Sequence, residues 1–182
     1  MTPVDPALLS SLPQTICTAI AARLPDLREC EPHAGRFDLK EIRTFATTAP
    51  AVRVALLGID QGAEQGGPAW EHPVRLAAFI VTTDKPLLTC DVAAITIAQE
   101  LVTLINGQNW GSDCLGLSER VRASNLYSSG TRSQGIALWA VDWTHKVQLH
   151  RAIASSDPVP TEIYAAGLEP DGEPVQVTGD VP

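Results

Sequence analysis

Long hydrophobic runs, aromatic residues and positive charges are all scarce in this sequence. Its 182 residues include three Phe, two Tyr and four Trp, although 45% are hydrophobic and can build an ordinary core. No stretch approaches the roughly 20 apolar residues that span a bilayer. The first residues also lack the basic and apolar segments of a secretion signal. We therefore expect a protein kept inside a cell, with no membrane partner.

Basic residues are outnumbered by acidic ones. Thirteen Lys and Arg face 21 Asp and Glu, and the net charge is -8. Proteins that bind nucleic acid tightly usually present a basic surface, so tight DNA binding is not expected. Six of the acids and five of the 14 prolines lie in 151–182, with Arg151 as the only base there. We expect one domain at 1–150, followed by an acidic, Pro-rich arm at 151–182 that is extended or partly disordered.

Cysteine is sparse and widely spaced. The four cysteines form no Cys-x-x-Cys pair, and no histidine stands at ligand spacing from them: Cys17, Cys30, Cys90 and Cys114. Zinc sites normally use closer ligand pairs, and thiols inside a cell stay reduced. We expect four reduced cysteines that pack as small apolar side chains, with no metal and no other cofactor.

Apolar residues at helical spacing predict three helices. The clearest covers 92–105, with Asp91 as its N-cap, Gly107 after its C-terminus and an apolar stripe of Val92, Ile95, Leu101, Val102 and Ile105. A second helix is predicted at about 39–47, after a capping box that begins at Asp38. The first helix ends at Pro25 and begins either at Asp5-Pro6 or near Leu12, because Pro13 permits a kink or a later start.

Runs of β-forming residues predict four strands, at 51–59, 74–83, 119–127 and 135–149, with a loop at 61–70. In the last strand the odd-numbered residues are apolar apart from His145, while the even-numbered ones turn polar from Asp142 onward. That pattern is typical of a strand that is buried on both faces at its start and exposed to solvent on one face toward its end. The elements together predict an α+β fold, with helices packed on a mainly antiparallel sheet of four to five strands.

No common catalytic motif is present in the sequence. His72 lies next to Glu71, but neighbouring side chains on a strand diverge, so a surface-loop role is favoured over an acid–base pair. Asp142 could be a buried base, or could face solvent or pair with one of three arginines, Arg53, Arg75 or Arg122; we favour the second interpretation. His145 is expected to be a structural histidine with satisfied nitrogens. We therefore assign no catalytic, cofactor-binding or metal-binding residue and expect no enzyme.

Two of the four tryptophans, Trp70 and Trp110, fall in predicted loops. Large aromatic side chains in loops often anchor contacts with other proteins, but they can also pack locally. Both interpretations stay open, and the candidate contact residues are Trp70, Trp110 and the loop 61–70.

Two segments resemble a protein family that Mu-like phages encode between their head and tail genes. One is APAVRVALLG (49–58), which follows the predicted helix DLKEIRTFATT; the other is NLYSSGTRSQGIALWAVDWTHKVQL (125–149). In that family a helix runs into an apolar–Pro–apolar strand, and a final strand carries an aromatic-rich core. The resemblance covers about 37–149, rests on core patterns rather than catalytic motifs, and does not include the arm after 151.

The resemblance implies a tail terminator, or tail completion protein. Such proteins form a ring, usually of six copies, on the head-facing end of the tail tube, where they stop its growth and join it to the neck. The implied partners are further copies, the tail-tube protein and a neck or head-completion protein, while DNA passes through without tight binding. The implied location is the virion, and the host cytoplasm during assembly. Alternatives are a head-completion or neck adaptor protein, a tail-assembly chaperone, or a small hydrolase using Asp142 or His72.

Overall fold

The computed structural model describes residues 7–35, 39–64, 69–126 and 135–150, and the residue pairs 164–165 and 175–176. Its helices are α1 (Leu8–Arg23), α2 (Leu39–Ala46) and α3 (Cys90–Ile105). Its strands are β1 (Glu29–Pro32), β2 (Ala51–Ile59), β3 (Ala63–Glu64), β4 (Ala69–Thr83), β5 (Glu119–Asn125), β6 (Ile136–His150), β7 (Tyr164–Ala165) and β8 (Val175–Gln176). The predicted α+β fold is confirmed.

The main sheet has the strand order β1-β2-β4-β6-β5, and the two-residue β3 pairs with β4 at one end. Only β1 and β2 run parallel; the other pairs are antiparallel, as predicted. The two long central strands, β4 and β6, pair over their whole length, from Ala69 opposite His150 to Thr83 opposite Ile136. The candidate surfaces described below are located relative to the two ends of this β4–β6 ladder.

Helices cover both faces of the sheet. On one face α1 and α3 pack over β2, β4 and β6, and the core there contains Ile16, Ile20, Leu101, Ile105 and Trp143. On the other face α2 packs on a smaller cluster of Ile42, Val81, Ile136 and Leu138. The predicted alternation along β6 is therefore correct, because its odd-numbered side chains enter the larger core and its first even-numbered ones enter the smaller.

Helix α1 continues through its proline. It begins at Leu8 and ends at Arg23, with Pro13 buried inside it, so the later start near Leu12 is wrong. Pro25 follows shortly after its end, as predicted. The suggested caps at Asp5-Pro6 and Asp38 lie outside the described residues. Helices α1 and α3 have 16 residues each, and no helix in the described part of the chain is long and apolar enough to cross a membrane.

Helix α3 differs from the prediction in its cap and in its buried face. Its N-cap is Thr89, whose hydroxyl accepts from the Val92 amide at 3.5 Å, while Asp91 lies in the first turn. The buried face is formed by Cys90, Ala94, Ala98, Leu101 and Ile105. Two members of the predicted stripe, Val92 and Ile95, are exposed instead. The helix buries the face that carries the small alanines, because this face can lie close to the sheet. The prediction failed because apolar periodicity does not tell which of two apolar faces of a helix is buried.

The stretch 61–70 is not wholly a loop. Residues 63–64 form β3, and β4 begins at Ala69, so Trp70 and His72 both lie in a strand. The sequence did not predict these strands, because the stretch is rich in Gly and Gln, which are typical of loops. The strands are stabilised instead by pairing of β3 with β4 and of β4 with β6.

The chain divides into two compact units, Met1–Arg151 and Ala152–Pro182. In the second unit Tyr164 pairs with Gln176 and Ala165 with Val175, as two short antiparallel strands. The rest of the predicted acidic arm lies outside the described residues.

Candidate interaction surfaces

A buried histidine links the last long strand to a surface loop. His145 is fully buried. Its Nε2 accepts a hydrogen bond from Trp110 Nε1 at 2.8 Å, and its Nδ1 lies 2.9 Å from the Gly116 carbonyl. Since the indole can only donate and the carbonyl can only accept, the proton sits on Nδ1 and the ring is neutral. Burial lowers the pKa of His145, and its predicted structural role is confirmed.

The indole nitrogen of Trp110 donates its hydrogen bond within the protein, to His145. The residue adopts a positive φ of 54°, which a bulky side chain rarely does. Its ring is half-buried, packs against the larger core and meets His145 edge to face. Local packing therefore accounts for this loop tryptophan, while its contact with a partner stays a prediction.

The neutral His145 ring should make the folded state sensitive to mild acid. Its folded pKa lies below the usual value of about 6.5, so on acidification the unfolded chain binds this proton first. The contribution of the neutral His145 ring to the free energy of unfolding is complete above pH 6.5 and declines as the pH falls below that value. We expect the free energy of unfolding, from denaturant titrations between pH 8 and 5, to fall more steeply in the wild type than in His145→Gln. Parallel pH profiles for the wild type and His145→Gln would show that His145 is not the group that loses stability in acid.

Asp142 is held in an ion pair on the sheet surface. Its carboxylate lies 3.2 Å from Arg122, which stands opposite it on β5, and about a third of its side chain is exposed. Of the interpretations considered above, pairing with an arginine is confirmed, and Arg122 rather than Arg53 or Arg75 is the partner.

Asp142 and His72, the two residues considered for a small hydrolase, do not meet. His72 pairs across the ladder with Val147, and Asp142 with Ala77. Residues directly opposite on antiparallel strands share a face, and alternate residues change face. Because Val147 is odd-numbered and Asp142 even-numbered on the same strand, His72 and Asp142 lie on opposite faces of the sheet. His72 instead approaches the Asp60 carbonyl at 3.2 Å and stacks with Trp70.

One charged cluster was not predicted at all. Arg53, in the middle of β2, is 4% exposed and contacts Glu29 at 2.7 Å and Glu31 at 3.2 Å. Its guanidinium also lies 4.4 Å from the centre of the Phe45 ring on α2. A hydrogen bond from Thr48 and the nearby Arg53 lower the pKa of Glu29. The signal in the sequence was a single arginine inside an otherwise apolar strand, AVRVALLGI.

The described residues contain no group of three or more His, Cys, Asp or Glu side chains that could hold a metal ion. All four cysteines are free thiols, with Cys17 and Cys90 buried and Cys30 and Cys114 half-buried.

Four large aliphatic side chains form an exposed surface before and along the start of α3, which we call the α3 patch. Leu87 is fully exposed, and Leu88, Val92 and Ile95 are each at least 41% exposed. Scattered exposed leucines are common, but a group of four in nine residues is typical of an interaction surface. The helix carries more apolar residues than one face can bury, and this was the sequence signal for the patch.

A groove of about 530 Å³ adjoins the α3 patch. Its walls come from the turn after α1, from the end of β4 and from the outer side of α3, and its apolar lining includes Leu24, Leu27, Pro50, Leu88, Ala93 and Ile97. Leu88 belongs to both surfaces. The groove has the size of a typical ligand or side-chain pocket, and neither Asp142 nor His72 lines it.

A second exposed surface, which contains an aromatic side chain, lies at the end of the β4–β6 ladder that is far from the groove. Trp70 is 38% exposed, pairs across the ladder with Leu149 and stacks on His72. We call these three residues the ladder tip. Thr83, at the far end of the same strand, lines the groove. Thr83 lies 13 positions along β4 from Trp70, which corresponds to about 40 Å of extended chain.

No protein-family model matches this chain, and no curated protein matches it. Solved structures do match; one, with a title that names no function, aligns with a TM-score of 0.42 and 13% sequence identity. That alignment covers 79% of this chain and 95% of the other.

Proposed function

We propose that this protein is a phage structural protein that caps the tail tube as a ring and joins it to the neck. The proposal combines the resemblance of 37–149 to the tail-terminator-like family with one observation on the structure. That observation is the pair of different apolar surfaces, the α3 patch with its groove and the ladder tip, at opposite ends of the same strands.

Two different surfaces on one molecule favour a head-to-tail contact. An isologous dimer joins the same patch of two copies and leaves the second surface exposed. A heterologous contact joins the ladder tip of one copy to the α3 patch of the next, and repeats until the rotation closes a ring. The ring symmetry expected of a tail terminator therefore matches the placement of the exposed apolar residues.

In the proposed contact Trp70 is the anchor. A tryptophan that enters an apolar pocket is among the most frequent hot spots of protein interfaces. The groove beside Leu88 offers a pocket of sufficient volume, and the exposed α3 patch supplies apolar surface around it. The net charge of -8 suits a passage for DNA, because a protein without an excess of positive charge does not retain a polyanion.

The test is light scattering after size-exclusion chromatography over a concentration series, with negative-stain images of the same fractions, alone and mixed with tail-tube protein. We expect rings with a central hole for the wild type. Ile95→Asp and Trp70→Ala should each weaken assembly by about 2 kcal/mol or more, the usual threshold of a hot spot, which is roughly a 30-fold change in the dissociation constant.

The matched control is Thr103→Asp, on an exposed position of α3 outside the patch. It should assemble like the wild type. Rings that form equally well with Ile95→Asp and Trp70→Ala would exclude these surfaces as the contact. A wild-type protein that stays monomeric with tail-tube protein and binds a portal protein instead would favour a neck adaptor.

A further inference from the structure

The chain leaves helix α3 through an asparagine followed by a glycine. Asn106 is the C-cap of α3, and Gly107 follows it at a positive φ of 74°. Both residues are exposed, and no atom beyond the neighbouring residues lies within 4 Å of the place that a Cβ on Gly107 would take. Within the described residues, the Asn106 side chain and the Gly107 amide nitrogen make no hydrogen bond.

We propose that Asn106 is a site of spontaneous modification, at which the Gly107 backbone nitrogen attacks the side-chain amide and converts it into a carboxylate. This inference does not depend on the proposed role in a tail. The attack closes a five-membered ring between the Asn106 side chain and the next peptide nitrogen. Glycine hinders that closure least of all residues, because it has no Cβ beside the nitrogen and restricts the backbone torsions least.

The reaction requires only water. The Gly107 nitrogen loses its proton and attacks Cγ of Asn106; the new N–Cγ bond forms, the Cγ–Nδ2 bond breaks, and ammonia leaves. Water then opens the cyclic imide at one of its two carbonyl carbons. The product is aspartate, or isoaspartate, in which the main chain runs through the former side chain. One water is consumed, one ammonia is released, and no atom is oxidised or reduced.

Ring closure requires a change of backbone conformation at Asn106. Its ψ angle is 121°, at which the Gly107 nitrogen is turned away from the side-chain carboxamide. The angle at which the two groups face each other lies in a region that ordered residues rarely occupy, so the asparagine that is held least reacts first. Among the described residues, nothing that packs on Gly107 and no hydrogen bond of the Asn106 side chain opposes this rotation.

The other two asparagines of the chain are internal controls. The Asn109 side chain accepts a hydrogen bond from the Gly111 amide at 3.1 Å, and Trp110 follows it. Asn125 is paired with Trp139 in the β5–β6 ladder, and a leucine follows it. Both asparagines are held in place, and both precede a bulky residue that hinders ring closure. Modification should therefore be selective for Asn106.

A carboxylate at this position should weaken the end of α3. The C-terminus of a helix carries partial negative charge, and the last turn of α3 contains no basic residue to compensate for another negative charge. Isoaspartate in addition lengthens the main chain by one carbon, next to the fully buried Ile105. We expect Asn106→Asp to melt at a lower temperature than the wild type, with a difference that shrinks as salt is added.

The test is incubation of the folded full-length protein in mildly alkaline buffer, with an assay for ammonia and peptide mapping by mass spectrometry. Conversion of the amide raises the mass of the peptide that contains Asn106, whereas isomerisation at Asp171-Gly172 leaves a peptide mass unchanged. We expect ammonia release to approach one per chain, with the increase in mass at Asn106 and not at Asn109 or Asn125.

The matched variant is Asn106→Gln, which keeps an exposed amide but would have to close a six-membered ring. It should keep its amide and release ammonia far more slowly than the wild type. A folded wild type that retains Asn106, under conditions in which the guanidinium-unfolded chain loses it, would overturn the proposal. Modification of Asn109 or Asn125 ahead of Asn106 would overturn it as well.

Discussion

Trp143→Ala should lower the free energy of unfolding by about 3–5 kcal/mol, the usual range for a tryptophan removed from a core. Trp143 is 2% exposed and is the largest of the fully buried side chains. It lies on β6 in the cluster that α1 and α3 share with the central strands. Its ring packs in a cluster between the sheet and the two helices, so its removal leaves a cavity there.

Trp70→Ala is the matched comparison, because it makes the same substitution on the same ladder at an exposed position. Urea denaturation monitored by circular dichroism should show a change below about 1 kcal/mol for the isolated protein, even though this variant is expected to weaken assembly. Equal losses of stability for the two variants would mean that Trp143 is not the centre of the core.

Arg53→Met should cost about 3 kcal/mol, the low end of the range for removing one partner of a buried ion pair. The arginine side chain is 5% exposed, but Glu29 and Glu31 are 24% and 61% exposed, so solvent relieves part of the loss. The substitution also removes the guanidinium from the Phe45 ring. Arg53→Lys should recover only part, because an ammonium cannot stack on the ring or bind two carboxylates in a fixed plane.

Arg75→Met is the control for an exposed pair. Arg75 lies 3.1 Å from Asp60, with both side chains about half exposed, and such pairs contribute less than about 1 kcal/mol. In the double variant Arg53→Met/Glu29→Gln the loss should be smaller than the sum of the single losses, since the unpaired carboxylate is gone. Denaturant titrations at pH 7 measure these four variants and the single variant Glu29→Gln; strict additivity would contradict the direct coupling of Arg53 and Glu29.

The elements with strong local patterns could be predicted from the sequence. Strand β6 alternates apolar and polar residues over most of its length, and its bounds, its two faces and the environment of His145 followed from that alternation. Strand β2 matched its predicted bounds, because a β-rich run stands between Pro50 and a polar loop.

The elements that depend on distant contacts could not be predicted from the sequence. Strand β1 reads ECEP, with no β-branched residue, and it forms because β2 lies beside it and Arg53 binds its two glutamates. The buried face of α3 is decided by the alanines that fit against the sheet, and this choice leaves Val92 and Ile95 outside. Local propensity is overridden by tertiary packing in both cases.

The candidate surfaces were only partly visible in the sequence. Trp70 was selected as an aromatic in an apparent loop, and the structure places it in a strand, still exposed. The groove combines residues from segments far apart in the chain, such as Leu24 with Ile97. No pattern within a single segment carries that information.

Both edges of the main sheet are protected against added strands. Strand β1 has four residues, two of them glutamates, and ends in Pro32, which has no amide hydrogen to donate. Strand β5, at the other edge, is interrupted by a bulge between Glu119 and Arg122, with Arg120 at a positive φ of 56°. Short, charged, bulged edges discourage aggregation through backbone pairing. Copies of this domain can therefore be crowded at high local concentration without their sheets fusing, and contacts between them are left to side chains.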